Sequence, residues 1–144
     1  MKLTSSVFQN GESIPKKYTG EGADVSPPLT ISDVPSMTKS IALIVDDPDA
    51  PMGTFVHWLA WNIPLSHLEL PEGASVPNQG KNDFGHVEYG GPMPPSGQEH
   101  RYFFKAYALD TNLDLRNGSS KRELLHAIEN HILGQAEYIG IYRR

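Results

Sequence analysis

Short apolar runs separated by turn-forming residues are the dominant pattern along the chain. Ser40–Val45 is mainly β-branched and aliphatic, and the sequence Asp46-Asp47-Pro48 follows it directly. Such a run predicts a buried strand that ends at the proline-containing turn. Phe55–Ile63 and Arg101–Leu109 predict two further strands, both rich in aromatic residues. The chain between these two strands is long and rich in proline and glycine, and long ordered loops are usually functional.

One helix is predicted near the C-terminus. Ser120 and Glu123 have the spacing of a capping box, in which each side chain satisfies an amide of the first helical turn. An apolar stripe follows at i, i+4 and i+8, formed by Leu124, Ile128 and Ile132. Gly134 is a plausible end of the helix, and Glu137–Tyr142 predicts a last strand. We therefore expect a mostly β fold, a sandwich or barrel, with one clear C-terminal helix.

Composition bounds the class of protein. The chain has 144 residues, of which 38% are hydrophobic and 20% charged, so we expect a single folded domain, 1–144. The net charge of −5 argues against nucleic-acid binding, which needs a basic surface. The chain contains no cysteine, so disulfides, cysteine-ligated metals and thiol catalysis are excluded. We find no signal-peptide pattern and no membrane-spanning apolar stretch, and we expect a cytoplasmic protein with no resident membrane segment.

The first candidate for chemistry is the carboxylate-rich turn Asp46–Pro51, directly after the first long strand. Two prolines flank Asp49, so the turn is rigid and holds its carboxylates at low entropic cost. The alternative is a simple strand-ending turn whose aspartates bond local amides.

His57 and His100 are the next candidates for a functional role. On a regular strand, His57 points away from both of its neighbours, Val56 and Trp58, and so outward or into a pocket. His100 follows the glycine- and proline-rich segment that starts at Tyr89, where glycine exposes backbone amides and proline stiffens the loop. A structural role for His57 and a loop without a ligand remain the alternatives.

Several motifs are missing. No zinc-binding His-Glu-x-x-His helix, Gly-x-Ser-x-Gly nucleophile turn or phosphate loop occurs, and no dinucleotide fingerprint precedes a helix. His126 and His131 fall on the predicted helix, where a spacing of five keeps them off one face. We therefore expect no metal site, no cofactor and no catalytic residue.

The motifs in combination resemble the phosphatidylethanolamine-binding protein family. Asp47-Pro48-Asp49-Ala50-Pro51, then His57-Trp58, then Gly91-Pro92 through His100-Arg101-Tyr102, occur in the family's order and spacing. The resemblance extends over nearly the whole chain, from Ile14–Thr19 to Tyr138–Tyr142. Compared with animal and plant members, the chain has a shorter insert between the Asp-Pro motif and His57, Met52 to Val56, and it ends at Arg144. The pattern is closest to that of short bacterial and archaeal members.

The resemblance implies a β-sandwich around a large central antiparallel sheet, with a small anion-binding cavity at one end. The residues that it implies for ligand binding are Asp47, Asp49, His57, Pro92, His100 and Tyr102. A protonated imidazole donates to phosphate, and a neighbouring carboxylate holds its tautomer. We hypothesise that His57 and His100 contact the phosphate while Asp47 and Asp49 orient them or receive an amine. Affinity is then expected to weaken as the pH rises from about 5.5 to 8.

We therefore predict a non-enzymatic binding or modulator protein for a phosphate-bearing anion or phospholipid head group such as phosphoethanolamine. One alternative is a protease or kinase inhibitor that acts through surface loops, with a vestigial pocket. A second is a hydrolase that uses the same aspartates and histidines. A homodimer is as compatible with the sequence as a monomer, because Trp61, Tyr138 and Tyr142 suit a dimer face as well as a core.

Overall fold

Two antiparallel β-sheets organise the backbone of the computed structural model, which describes residues 1–144. The eight strands of the two sheets are β1 (Lys2–Thr4), β2 (Leu29–Ser32), β3 (Ser40–Asp47), β4 (Phe55–Ile63), β5 (Glu69–Leu70), β6 (Asn78–Gln79), β7 (Glu99–Leu109) and β8 (Ile132–Arg143). The smaller sheet has the strand order β1-β2-β5, and the larger has the order β6-β4-β3-β7-β8. The helix α1 spans Lys121–Ile128. The predicted mostly β fold with one helix is confirmed.

Strand β3 lies in the middle of the larger sheet and is buried along its whole length. Leu43 and Val45 face the larger core, 19 buried residues that fill the space between the two sheets. Ala42 and Ile44 face a second core of nine residues, which α1 covers on the other side. A strand buried on both faces needs apolar side chains on both, which explains the uninterrupted apolar run from Ile41 to Val45.

The C-terminal prediction is wrong in its boundaries. The capping box at Ser120 is present, but α1 ends at Ile128, and Ile132 and Gly134 belong to strand β8. Asn130 adopts a left-handed backbone conformation (φ 68°), which ends the helix and turns the chain toward β7. Ile132 fits the helical stripe by spacing alone, and 42% of it is exposed.

Two residues in this region have other roles than we expected. Gly134 does not stop the helix: a Cβ atom there would lie 2.9 Å from the ring of Pro35, so the strand needs glycine to pass it. His131 lies beyond the helix, and its Nδ1 atom hydrogen-bonds Asp110 Oδ1 at 2.8 Å. No helix in the structure is long and apolar enough to cross a bilayer.

The N-terminal segment runs alongside β8, the outer strand of the larger sheet. The amides of Gly11 and Ile14 donate to the carbonyls of Ile139 and Ile141, at 2.7 and 2.8 Å. Ile14 and Phe8 lie directly against Gly140, where any Cβ atom would overlap the Ile14 side chain. Glycine at position 140 is therefore required by this close approach rather than by backbone conformation.

The capping box at the start of α1 should contribute measurably to stability. Ser120 Oγ accepts a hydrogen bond from the Glu123 amide at 3.1 Å, and Glu123 Oε1 accepts one from the Ser120 amide at 3.0 Å. We expect Ser120→Ala to lower the free energy of unfolding by about 1 kcal/mol, measured by urea denaturation. Ser96→Ala, in an exposed loop, is the control. Equal stability of the two variants would contradict this role of the cap.

Candidate functional site

A β-bulge positions His57. Val45 pairs with Trp58 and Asp46 pairs with Val56, so that His57 is an extra residue on β4. On a regular strand Val56 and Trp58 would share a face, whereas here Val56 belongs to the second core and Trp58 to the larger one. The premise that Val56 and Trp58 share a face is therefore wrong, because the bulge redirects the side chains around it, but His57 does line a pocket, as we expect. Bulges are over-represented next to functional sites for this reason.

The His57 ring lies in a cavity of about 200 Å³ at one end of the central strands of the larger sheet. At this end β3 stops and β4 and β7 begin, so three neighbouring strands contribute side chains. The lining residues are Asp47, Ala50, Pro51, Phe55, His57, Phe84, Met93, Pro94, Pro95, His100 and Tyr102.

Asp47 and His100 form a buried pair. The two side chains are 4% and 5% exposed, and His100 Nδ1–H donates to Asp47 Oδ2 at 2.7 Å. Asp47 Oδ1 accepts from the Asp49 amide at 2.7 Å, which fixes the carboxylate within its turn. His100 Nε2 lies 2.8 Å from Gln98 Oε1. Both ring nitrogens of His100 therefore have partners within the protein.

His57 is held differently. Its Nδ1 atom lies 2.6 Å from the carbonyl oxygen of Gly90, and because a carbonyl only accepts, Nδ1 carries the hydrogen. Its Nε2 atom has no hydrogen-bond partner in the protein. The ring packs against Phe55, Phe84 and Tyr102, with centroids 5.0 to 5.5 Å away. Burial lowers the pKa of His57, although the Gly90 carbonyl and the Asp47 charge oppose this change, so the ring is neutral near pH 7.

The Tyr102 hydroxyl is the one buried side-chain polar atom without a hydrogen-bond partner. Burial, with a smaller contribution from the charge of Asp47, raises the pKa of Tyr102 far above its usual range, so the hydroxyl keeps its proton. Its ring stands edge-on to that of His57, with a centroid distance of 5.2 Å. A buried hydroxyl without a partner costs free energy, so this donor gains if a ligand in the cavity reaches it.

The structure brings four of the six predicted residues into the cavity and leaves two outside its lining. The four are Asp47, His57, His100 and Tyr102. Asp49 turns toward Arg101 instead: its two carboxylate oxygens accept from Arg101 Nε and Nη2 at 2.9 and 2.8 Å. Pro92 is buried beside the N-terminal segment, where its carbonyl accepts from the Gly20 amide. The prolines that line the cavity are Pro51, Pro94 and Pro95.

Sequence reasoning missed several residues that shape the site. Phe55 lies two residues before His57, and Met93 lies within the flagged glycine- and proline-rich segment, so both were within reach of the motifs. Gly90, whose carbonyl sets the His57 tautomer, was also in that segment. Phe84 comes from the irregular loop, where no pattern marks it.

Comparison with known proteins decides the family. The family model for phosphatidylethanolamine-binding proteins matches residues 4–143. The chain belongs to the phosphatidylethanolamine-binding protein family. A UPF0098 protein of Methanothermobacter thermautotrophicus is 48% identical to this family member, over 100% of this chain and 99% of the relative. A UPF0098 protein of Pyrococcus horikoshii is 51% identical, over 97% of this chain and 75% of the relative.

Solved structures of the family agree with the fold. A putative phosphatidylethanolamine-binding protein homologue of Chlamydia trachomatis superposes with a TM-score of 0.95 and 44% identity, over 99% of this chain and 97% of that one. YbcL of Escherichia coli, described as a member of the mammalian family, gives a TM-score of 0.91 and 35% identity, over 99% and 98% of the two chains.

The Asp49–Arg101 pair should make stability depend on pH. The hydrogen bonds from Arg101 lower the pKa of Asp49 to about 2. A carboxyl group whose pKa is lower in the folded state stabilises the protein above its unfolded-state pKa, near 4, and loses that effect as the pH falls toward 2. We expect Arg101→Ala to lower the free energy of unfolding at pH 7 and to lower it by much less at pH 2.5, measured by denaturant titration.

The control is Arg122→Ala, because Arg122 is exposed on α1 and makes no ion pair. Carboxyl-carbon NMR should also show the pKa of Asp49 moving back toward its ordinary value in Arg101→Ala. A destabilisation of the same size at both pH values would contradict an ionic contribution.

Proposed function

We propose that this protein binds a small phosphate-bearing anion in the cavity and acts by binding rather than by catalysis. The observation that carries the proposal is the cavity of about 200 Å³ whose lining brings together His57, His100 and Tyr102, the last with a buried hydroxyl that has no partner. A phosphoryl oxygen is a strong acceptor, and a buried donor without a partner gains most when it meets one.

The cavity wall suits such a ligand in two further ways. Phe55 and Phe84 surround the polar atoms with apolar surface, which strengthens the hydrogen bonds that form inside. Pro94 and Pro95 have fixed φ angles, so the wall loses little entropy when it closes on a ligand. A volume of about 200 Å³ accommodates a phosphoryl group and a short substituent.

The hydrogen bonds within the protein decide which polar residues are available to contact a ligand. Asp47 orients His100, and Asp49 is paired with Arg101, so neither carboxylate is free to receive an amine. Both nitrogens of His100 are engaged, so we assign the direct contacts to Tyr102 and His57.

The preference for binding over hydrolysis rests on the lining. Of its possible nucleophiles, Asp47 is paired with His100, both ring nitrogens of His100 have partners, and burial keeps Tyr102 protonated. A phosphate ester held in the cavity should therefore be recovered unchanged. Phosphorus NMR of phosphoethanolamine incubated with the protein tests this directly, and release of inorganic phosphate would favour the hydrolase.

A protein partner is a second candidate. Met52 is 99% exposed beside the lining residue Pro51, and Phe84 and Met93 are each 42% exposed at the cavity wall. Exposed apolar side chains grouped around a pocket are typical of contact surfaces. If a protease or kinase binds there, Met52→Ser should weaken its capture without changing phosphate binding.

The phosphate pocket can be tested with a pair of tyrosine variants. In NMR titrations with phosphoethanolamine, we expect selective, saturable shifts of the His57 and Tyr102 resonances. Tyr102→Phe should weaken binding about tenfold, the loss expected for one hydrogen bond to a charged group. Its free energy of unfolding should not fall, because the substitution removes an unpaired buried hydroxyl.

Tyr107→Phe is the matched control, since Tyr107 lies on the same strand but packs against the second core. No shift in the wild-type protein at millimolar ligand, or equal affinity of the two variants, would contradict the proposed pocket.

A further inference from the structure

A second cavity, of about 350 Å³, lies on the opposite face of the larger sheet from the His57 cavity. Asp46 lines this second cavity, whereas Asp47, the next residue of β3, lines the first. Successive residues of a strand point to opposite faces, so the end of β3 contributes one aspartate to each cavity. The two cavities have no lining residue in common.

Two lysine side chains converge on Asp46 in the second cavity. Lys121, the first residue of α1, places its Nζ atom 2.8 Å from Asp46 Oδ2, and Lys105 Nζ on β7 lies 3.3 Å from both carboxylate oxygens. The carboxylate is 2% exposed, while the lysine side chains are 27% and 28% exposed. Asp46 therefore holds two flexible cationic side chains in place, and each ammonium group keeps at least one N–H donor that does not contact it.

The lysines carry more positive charge than Asp46 neutralises. Arg101 also lines the cavity, but both carboxylate oxygens of Asp49 already bind its guanidinium group. Glu137 on β8 is the register partner of Lys105, but its carboxylate is exposed and forms no ion pair with either lysine. One positive charge thus has no close partner, although the chain as a whole has a net charge of −5.

Two further residues complete the cavity. Thr54, in the turn before β4, lines it with a hydroxyl that makes no hydrogen bond within the protein. Phe103 provides an apolar wall, and its ring centroid is 5.8 Å from Lys105 Nζ. Donors from the turn before β4, from β7 and from α1 therefore line one cavity. Hydrogen bonds from ammonium groups to an ionised oxygen are stronger than those between neutral groups.

We propose that the second cavity is an oxyanion site, in which Lys105 and Lys121 bind a phosphate, sulfate or carboxylate group and Thr54 donates a further hydrogen bond. The site is independent of the proposed function, because it shares no residue with the His57 cavity. The same chemistry recognises a free inorganic anion and the acidic side chain of a peptide.

Inorganic sulfate is the first probe. In an NMR titration of the full chain at constant ionic strength, we expect saturable shifts of the Thr54, Lys105 and Lys121 resonances at millimolar sulfate. Lys121→Met should weaken binding roughly three- to tenfold, because it removes one charged donor. Lys39→Met is the matched control: Lys39 is exposed, forms no ion pair and lies at the other end of β3, so its loss changes the net charge equally.

A second pair of variants tests the same charge balance in the opposite direction. Glu137→Gln removes the negative charge that faces the lysines across the strands, so we expect sulfate to bind about two- to threefold more tightly. Glu69→Gln, on the exposed side of the smaller sheet, should leave the affinity unchanged. This gain of affinity does not depend on how well Lys121→Met folds.

The remaining outcomes decide between the site and its absence. Sulfate shifts confined to the His57 cavity, or equal affinities of Lys121→Met and Lys39→Met, would overturn the oxyanion site. Lys121→Met should keep the His57 and Tyr102 shifts with phosphoethanolamine, so a failure of this site is distinguishable from a failure of the phosphate pocket. A short capped peptide of glutamates is the second probe.

Binding of sulfate or the peptide at Lys105 and Lys121 supports the site, and the tighter of the two identifies a free or a protein-borne oxyanion as its ligand. Binding of neither overturns it.

Discussion

The burial of β3 on both faces is the constraint on which the site depends. The last two residues of the strand are Asp46 and Asp47, and their side chains lie on opposite faces of the sheet. Each is at most 4% exposed, and an unpaired buried carboxylate would cost several kcal/mol. Asp46 is therefore matched by Lys105 and Lys121, 3.3 and 2.8 Å away, and Asp47 by His100. The contact between Asp46 and Lys121 joins α1 to the sheet. The Asp47–His100 pair forms part of the cavity lining.

The N-terminal segment controls the opposite wall. Asp24 Oδ1 accepts from the Gly91 amide at 2.7 Å, and Tyr89 donates its hydroxyl hydrogen to the Tyr18 carbonyl at the same distance. Gly91 passes so close to the backbone of Tyr18 that no side chain would fit there. These contacts fix the loop whose Gly90 carbonyl holds the His57 ring. The tautomer of His57 thus depends on a loop that is fixed by a segment about seventy residues before that loop in the chain.

The parts of the molecule that could be predicted are those where local sequence and tertiary environment agree. Apolar runs predicted β3 and β4, which are buried along nearly their whole length, and an aromatic run predicted β7, whose buried residues mostly alternate with less buried ones. The end of α1 could not be predicted, since Ile132 satisfies helical spacing while Asn130 turns the chain. Strands β1 and β2 are too short to show a pattern.

In the cavity, too, some features follow from local sequence motifs and others depend on tertiary contacts. Motif order brought Asp47, His57, His100 and Tyr102 together, but it could not show that Asp49 turns to Arg101, because Arg101 lies 52 residues away. The bulge at His57 was equally hidden. It depends on the register between two strands, which a single strand's alternation does not encode.

The segment that runs alongside β8 has a consequence for how copies of the chain meet. Outer strands present unpaired amides and carbonyls, and such edges recruit strands from other molecules into amyloid-like or swapped assemblies. Here residues 11–14 occupy part of that edge with their own hydrogen bonds, and at the other side of the sheet β6 is only two residues long. The chain thus occupies part of both outer edges with its own backbone, so fewer unpaired groups remain there for a second molecule.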